Sequence, residues 1–269
     1  MKKTIFKIFL SIMFVMILLT NTASAKSIKF IQIADAMYGR GNNEAQGILD
    51  KAIADINKMN DIDFVVFSGD NITVGKKELL TAFIEDAKNL NKPFYIVTGD
   101  RDLNKSKKLD RDTYADIIHE EMGFRSPKST NYVFQKDKVV FIVVDGAKEL
   151  INTPSGFFMP ETLDWLETQL NKYKDSKVVI LQHFPIAHKT KNDTLYTPNA
   201  IEYLKLISRH DNVIGVVTGH FNMNDELFYN GVYHITTPSL YTNKCYKVIE
   251  IDEDHGFQIF TSLVEMDKQ

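Results

Sequence analysis

Apolar runs alternate with amphipathic stretches through the first half of this chain. The runs at 28–34, 64–67 and 93–97 are rich in β-branched and aromatic residues, which is typical of buried strands. Between them, the apolar residues at 45–56 and 76–90 recur at helical spacing. The resulting β-α-β-α-β order predicts a parallel sheet with right-handed crossovers.

The second half of the chain mixes helices with hairpins. Helices are predicted at 110–121, 160–173 and 198–209, the last with Thr197 as its cap. Strands are predicted at 132–135, 139–144, 178–181, 213–217, 227–229, 232–235, 246–251 and 257–263. The dipeptide Asn230-Gly231 predicts a tight hairpin, and the end of the chain is expected to be antiparallel. Two sheets packed face to face, with helices on both outer faces, would bury this α/β pattern.

Five of the predicted strands end in short polar segments. These segments are Ile33-Ala34-Asp35-Ala36-Met37, Ser68-Gly69-Asp70-Asn71, Thr98-Gly99-Asp100-Arg101-Asp102, Gln182-His183-Phe184-Pro185 and Thr218-Gly219-His220-Phe221-Asn222. Ligands bind at the carboxyl ends of the strands in open α/β sheets. Three Asp and two His of these segments are therefore predicted to meet at one edge of one sheet, where their oxygen and imidazole donors can hold a divalent cation.

In this order and context, the five segments resemble the calcineurin-like metallophosphoesterase superfamily, over roughly residues 28–264. The family pattern is Asp-x-His, Gly-Asp, Gly-Asn-His-Asp, a His two residues before Pro, and Gly-His-x-His. The resemblance implies a four-layer α/β/β/α sandwich of two mixed sheets, in which two metal ions act on a phosphate ester. This chain departs from the pattern at four positions: His is replaced by Met37, Arg101 and Asn222, and Asn is replaced by Asp100.

The resemblance also implies the metal ligands, residue by residue. One set survives, and it comprises Asp70, Asp100, His183 and His220. In the other set, Asp35 and Asp70 remain. Met37 offers that set a soft thioether, which hard cations bind poorly, and Asn222 offers only a carbonyl oxygen. We therefore expect a degenerate site with one firmly held divalent ion (Mn, Zn or Fe) and a second ion that is weakly bound or absent.

Arg101 and Asp102 are the candidate catalytic residues. By resemblance, Arg101 stands in place of a His that protonates the leaving group or steadies the phosphate, whereas a guanidinium can bind two phosphate oxygens in a fork. Loss of general-acid help would cost about 10²–10⁴-fold in rate. Asp102 keeps the family's place and is expected to orient Arg101. His188, which follows the Pro of the fourth segment, is a second candidate for contact with the substrate.

Other interpretations stay open at this stage. With four of eight pattern positions changed, an inactive relative that binds a phosphorylated ligand without turnover is the alternative function, and a scaffold for protein contacts is a third. His183 and His220 could instead be buried, hydrogen-bonded imidazoles, and the Asp residues could be turn or cap residues. Asn71 is interpreted as a turn residue, and Met37 and His234 as packing residues.

The N-terminus has the pattern of a secretory signal peptide. Basic residues at 2, 3 and 7 precede an apolar run at 8–19 and the small residues Ala23-Ser24-Ala25. An uncleaved anchor is the alternative, but the run is shorter than the ~20 residues that span a membrane. We expect a signal peptide at 1–25 and an exported single metallophosphoesterase-like domain at 26–269, periplasmic or extracellular, without stable membrane insertion after cleavage.

The net charge limits the class of partner that we expect, and the single cysteine limits the disulfides that the chain can form. The chain has a net charge of −3, and the mature segment would have about −6, which argues against a nucleic-acid partner. A small phosphorylated substrate or ligand is the expected partner, and the oligomeric state stays open. Cys245 is the only cysteine, so the chain has no intramolecular disulfide, and a buried, inert thiol is expected.

Overall fold

The computed structural model describes residues 27–41, 43–123, 126–150, 153–189 and 195–266. The predicted signal peptide lies outside these described residues. Within the described ranges, no helix combines the length and the apolar character that crossing a membrane requires.

Helices and strands form in the predicted order, with ends that shift by a few residues. The strands are β1 Ser27–Ile33, β2 Phe64–Ser68, β3 Phe94–Val97, β4 Tyr132–Lys136, β5 Val139–Val143, β6 Lys177–Leu181, β7 Val213–Thr218, β8 Asp225–Tyr229, β9 Val232–Thr236, β10 Cys245–Asp252 and β11 Gln258–Glu265. The helices are α1 Glu44–Ile56, α2 Lys77–Ala87, α3 Arg111–Met122, α4 Pro160–Lys172, α5 Ala200–Ile207 and α6 Leu240–Asn243, and a 3-10 turn spans Lys105–Lys107.

The strands form two mixed sheets, as predicted. The first sheet has the order β11-β10-β1-β2-β3, in which β1, β2 and β3 are parallel, β10 is antiparallel to β1, and β11 is antiparallel to β10. The second sheet has the order β4-β5-β6-β7-β9-β8. The Asn230-Gly231 hairpin joins β8 and β9 as an antiparallel pair. However, β9 pairs with β7 in parallel, so the expectation of an antiparallel end holds only in part.

Four layers result, because the central strands are apolar on both faces. Between the sheets, Phe30 stacks on Phe64 at 4.9 Å, and Phe141 of the opposite sheet meets Phe64 edge-on at 5.1 Å. On the outer face of the first sheet, Phe67 packs against Phe83 of α2 at 5.0 Å. The helices α4 and α5 contribute to the core on the outer face of the second sheet. Each fully buried large apolar side chain stabilises the fold by about 1.5–3 kcal/mol.

Two local details differ from the prediction, and one agrees with it. Thr197 does not cap the helix that follows it: α5 begins after Asn199, and the Thr197 hydroxyl donates instead to the Pro185 carbonyl oxygen at 3.1 Å. The helix predicted at 76–90 ends at Ala87. Cys245 is buried, and burial raises the pKa of its thiol to about 11, which fits the inert thiol that was expected.

His234 should make the fold sensitive to acid. It is buried on β9, and neither ring nitrogen has a hydrogen-bond partner among the described residues. Burial lowers its pKa from 6.5 to about 4, so the unfolded chain takes up a proton first as the pH falls. The free energy of unfolding should therefore decrease between pH 6.5 and pH 4, by up to about 3 kcal/mol. Denaturant unfolding across this pH range should show a weaker pH dependence in His234→Leu; an unchanged slope would contradict the assignment.

Candidate metal centre

Five polar side chains meet at the carboxyl ends of the parallel strands. Asp35, Asp70 and Asp100 follow β1, β2 and β3, which are neighbours in the first sheet. His183 and His220 follow β6 and β7, which are neighbours in the second sheet. The prediction that all five lie at the edge of one sheet is wrong, because the imidazoles come from the second sheet. The carboxylates and the imidazoles converge across the sandwich because the two sheets pack face to face.

The five side chains form two overlapping groups of possible ligands. In the first group, Asp100 Oδ1 lies 3.4 Å from His183 Nε2 and 3.2 Å from His220 Nδ1. These two imidazole nitrogens are 3.2 Å apart. Asp35, Asp70 and His183 form the second group, and the ligand atoms within each group lie within 4.8 Å of one another. His183 belongs to both groups.

The main chain fixes the orientation of His183. Its Nδ1 atom lies 2.8 Å from the Ser68 carbonyl oxygen, which can only accept a hydrogen bond. Nδ1 must therefore carry the proton, and Nε2 points at the carboxylates of Asp70 and Asp100, at 3.5 and 3.4 Å. A backbone carbonyl that holds one nitrogen of an imidazole while the other faces a cation is the usual arrangement of a metal ligand.

The donor set fits a divalent cation. Asp100 Oδ1 is a buried atom without a hydrogen bond of good geometry in the part of the chain that the structure describes. Three carboxylates and two imidazoles are buried together, which is costly without a compensating charge. A mixed set of oxygen and imidazole donors suits manganese, zinc or iron.

Burial and mutual charge shift the pKa values of the cluster residues so that some of them hold a proton. Burial raises the pKa of Asp35 to about 7, against the lowering effect of His183. Burial also raises the pKa of Asp70, again opposed by His183. For His183 itself, burial would lower the pKa, but the nearby Asp70, Asp100 and Asp35 raise it to about 10. Burial would raise the pKa of Asp100, but its two imidazole neighbours lower it. A cation that binds here has to displace the retained protons.

Three of the five residues have left-handed backbone conformations. The φ angles are 51° for Asp35, 51° for Asp70 and 71° for His220. Asp and His tolerate this region better than most residues, and such conformations concentrate at functional sites. The sharp turn at the end of each strand aims the side chain at the cluster.

Glycines let the strand ends approach one another. Gly69 has a φ of +95°, and a Cβ atom there would lie 2.6 Å from His183 Cγ. A Cβ atom at Gly99 would lie 2.5 Å from Asp70 Oδ1. Both distances are shorter than any ordinary contact, so a side chain at either position would displace a member of the cluster.

Comparison with known families agrees with this geometry. The family model for the calcineurin-like phosphoesterases matches residues 28–222, which is more than half of the chain and contains all five side chains. The chain belongs to the calcineurin-like phosphoesterase family.

Named relatives in this family include two bacterial proteins. "Probable glycerophosphodiester phosphodiesterase GpdQ" of Arcobacter nitrofigilis is 25% identical over 182 residues, which cover 66% of this chain and 63% of the relative. "Glycerophosphodiester phosphodiesterase GpdQ" of Enterobacter lignolyticus is 22% identical over 197 residues, which cover 70% of this chain and 68% of the relative. The chain thus matches less than two thirds of the first relative's length.

Solved structures share the fold. A dimetal phosphatase from Danio rerio superposes with a TM-score of 0.68 at 14% identity, covering 89% of this chain and 96% of that one. GAP50, described as the anchor in the inner membrane complex of Plasmodium, superposes with a TM-score of 0.62 at 17% identity, covering 90% and 85%. At these identities, the likeness shows the fold alone.

In this member of the family, Arg101 lies against one carboxylate of the cluster. Its backbone N–H donates to Asp70 Oδ1 at 2.9 Å, and its Nε atom lies 3.3 Å from Asp70 Oδ2. The Arg101 side chain is 43% exposed, whereas that of Asp70 is 4% exposed. Arg101 therefore sits between the buried cluster and the solvent.

The expectation that Asp102 orients Arg101 is wrong. Both oxygens of Asp102 accept hydrogen bonds from the main chain, from Gly99 N at 2.8 Å and from Ile72 N at 3.0 Å. Asn71 Nδ2 donates a further bond at 3.0 Å. Asp102 is buried in the turn after β3, where it stabilises the backbone that carries Asp100; burial, reinforced by Asp70, raises its pKa to about 7. The guanidinium lies on Asp70 because Asp102 is turned inward.

Asn71 does more than the sequence indicated. Its side-chain amide is buried and donates to the Val97 carbonyl oxygen at 2.8 Å as well as to Asp102. It also lies 3.3 Å from the Tyr114 hydroxyl of α3. Asn71 thus ties the ends of β2 and β3 together.

The sequence analysis also missed Phe184. Its ring centroid lies 4.9 Å from those of both His183 and His220. Its position next to His183 was the only available signal.

The remaining candidates lie around the cluster. Met37 is 5% exposed and packs in the protein interior, as expected. Asn222 is exposed, and its Nδ2 atom donates to the His220 carbonyl oxygen at 3.3 Å. The half-buried ring of His188 lies 4.7 Å from that of Phe221, directly after His220. Contact between His188 and a substrate stays a prediction.

Proposed function

We propose that this chain is a metal-dependent hydrolase that cleaves a phosphomonoester or a phosphodiester. The observation that carries the proposal is the convergence of Asp35, Asp70, Asp100, His183 and His220 into one buried cluster. Family membership and the names of the relatives support the same class of reaction.

The residues fall into roles by their position. We assign Asp70, Asp100, His183 and His220 to the firmly held ion, and Asp35 and Asn222 to a weaker second position. When bound, a divalent cation supplies positive charge against the phosphoryl oxygens and makes a water molecule a stronger nucleophile. Arg101 would bind phosphoryl oxygens at the solvent side of the cluster through its forked donors.

We also propose that the protein is exported to the periplasm or the extracellular space as a single domain of residues 26–269. The basic start, the short apolar run and Ala23-Ser24-Ala25 support this proposal. The expected partner is a small phosphorylated molecule rather than a nucleic acid, because the mature segment is acidic.

The decisive test combines metal content with turnover. Protein purified without chelator should contain close to one tightly bound metal per chain by mass spectrometry. Adding manganese, zinc or iron at 100 times the dissociation constant should stabilise the metal-free protein by about 2.7 kcal/mol. An aryl phosphate mono- or diester should be hydrolysed with one of these metals and not after chelation. Metal-loaded protein that is inert towards every ester would contradict the proposal.

A binding module for a phosphorylated ligand is the second candidate. It is favoured by Arg101, whose guanidinium lies on Asp70 at the solvent side of the cluster, and by Met37 in place of an imidazole. GAP50 has the same fold and is described as an anchor, so the fold is compatible with a binding role. Thermal stabilisation by inorganic phosphate without turnover of any ester would favour this candidate.

A further inference from the structure

Arg101 places a charged side chain between the cluster and the solvent. It is held at two points on Asp70, by its backbone N–H at 2.9 Å and by its guanidinium Nε at 3.3 Å. With 43% of its side chain exposed, it lies at the solvent side of the buried carboxylate of Asp70. The chemistry of a guanidinium therefore bears directly on which phosphate esters the site can cleave.

A guanidinium stabilises charge but does not supply a proton. It presents several N–H donors in a rigid fork that matches two phosphoryl oxygens. It does not give up a proton under conditions where proteins are folded. Arg101 can thus bind the phosphoryl group, but it cannot protonate the oxygen that leaves.

The other described side chains that contact the cluster do not donate a proton to the leaving oxygen either. Asp102 accepts backbone hydrogen bonds at both of its oxygens and is turned into the protein. Phe184 and Phe221, which pack against the imidazole rings, have no exchangeable side-chain proton. The five cluster residues face one another as ligand donors. His188 lies beyond Phe221, and the experiment below tests it directly.

We propose, resting on the hydrolase function above, that the site is specific for phosphate derivatives whose leaving group is stable as an anion. This class comprises phosphoanhydrides, acyl phosphates and aryl or enol phosphates, as opposed to alkyl esters. In the step, a water oxygen forms a bond to phosphorus and the bond from phosphorus to the leaving oxygen breaks, with its electron pair going to that oxygen. For a monoester, R–O–PO₃²⁻ and H₂O give R–O⁻ and H₂PO₄⁻. The leaving anion takes a proton from solvent only after it has departed.

The experiment is a leaving-group series with the full mature chain loaded with its preferred metal. A set of aryl phosphates that spans a wide range of phenol acidity is compared with an alkyl phosphate and a glycerophosphodiester. For the unmodified chain, kcat/KM should fall steeply as the pKa of the leaving alcohol rises, because no proton assists its departure. The alkyl esters should be at least ~10²-fold poorer substrates than the most acidic aryl ester.

Variants at position 101 test whether Arg101 causes the dependence on the leaving group. Arg101→His should flatten the dependence, because an imidazole can protonate the leaving oxygen. Arg101→Met should weaken inorganic phosphate binding about 10-fold or more in calorimetry, a readout independent of turnover. Lys105→Met is the matched control: this cation lies on the nearby surface turn, pairs with Glu149 at 3.5 Å, and should change neither quantity.

The outcomes separate this inference from the proposed function. Hydrolysis with a shallow dependence on the leaving group would overturn the inference alone. A shallow dependence that becomes steep in His188→Phe would overturn it too, and would identify His188 as the proton donor. The absence of turnover with every ester and every metal would overturn both proposals. If Arg101→His fails to fold, the dependence of kcat/KM on the pKa of the leaving alcohol, measured for the unmodified chain, still tests the inference.

Discussion

Replacing His183 with alanine is expected to abolish metal retention and ester hydrolysis together. His183 is shared by both groups of possible ligands, so its loss opens both at once. Loss of an outer partner of a ligand already weakens metal binding by ~10–100-fold, so loss of the ligand itself should cost at least about 100-fold. Metal content after gel filtration and turnover of an aryl phosphate, measured on the same sample, check this expectation.

Two further variants serve as a control and as an intermediate case for this test. His234→Ala removes another buried histidine, outside the cluster, and should leave metal content and turnover unchanged. His220→Ala removes one ligand of the firmly held ion but leaves Asp35, Asp70 and His183 together, so it should lose less metal than His183→Ala. Circular dichroism must show that each variant is folded. Full metal content in folded His183→Ala would mean that the five residues are not the ligands of the ion.

Replacing Gly69 with alanine is expected to damage the fold and the cluster through a single methyl group. The left-handed conformation, with a φ of +95°, costs an L-residue roughly 1–2 kcal/mol. The new Cβ atom would also lie 2.6 Å from His183 Cγ, and crowding of this kind costs about 1–3 kcal/mol. We expect a loss of about 3 kcal/mol in the free energy of unfolding, seen as a Tm lower by about 6–12 °C.

A second glycine separates the two causes. Gly256 has a similar φ of +78°, but a Cβ atom there would meet nothing within 4 Å. Gly256→Ala therefore reports the backbone cost alone, and the difference between the two variants reports the crowding of His183. Only Gly69→Ala should weaken metal binding, because only that methyl group presses on a ligand. Equal loss of stability in both variants, with metal binding intact, would refute the crowding argument.

Local sequence patterns determined much of the secondary structure of this protein. The periodicity of apolar residues depends on neighbours within one turn or one strand, so the sequence alone predicted the order of helices and strands. It also predicted which strands end in Asp35, Asp70, Asp100, His183 and His220. Parallel strands deliver their carboxyl ends to one edge of a sheet, so the same pattern explains why the three Asp lie together on the first sheet and the two His lie together on the second.

Contacts between distant parts of the chain were decided only by the tertiary structure. The pairing of Arg101 with Asp70, the inward turn of Asp102 and the bond from the His220 N–H to Asp35 Oδ2 at 3.1 Å are examples. None of these has a periodic signal, because each depends on how separate strand ends pack. The sequence by itself therefore determined which side chains reach the candidate metal centre. The packing of one sheet on the other decided how those side chains face one another, because hydrogen-bond partners are chosen by distance in space rather than along the chain.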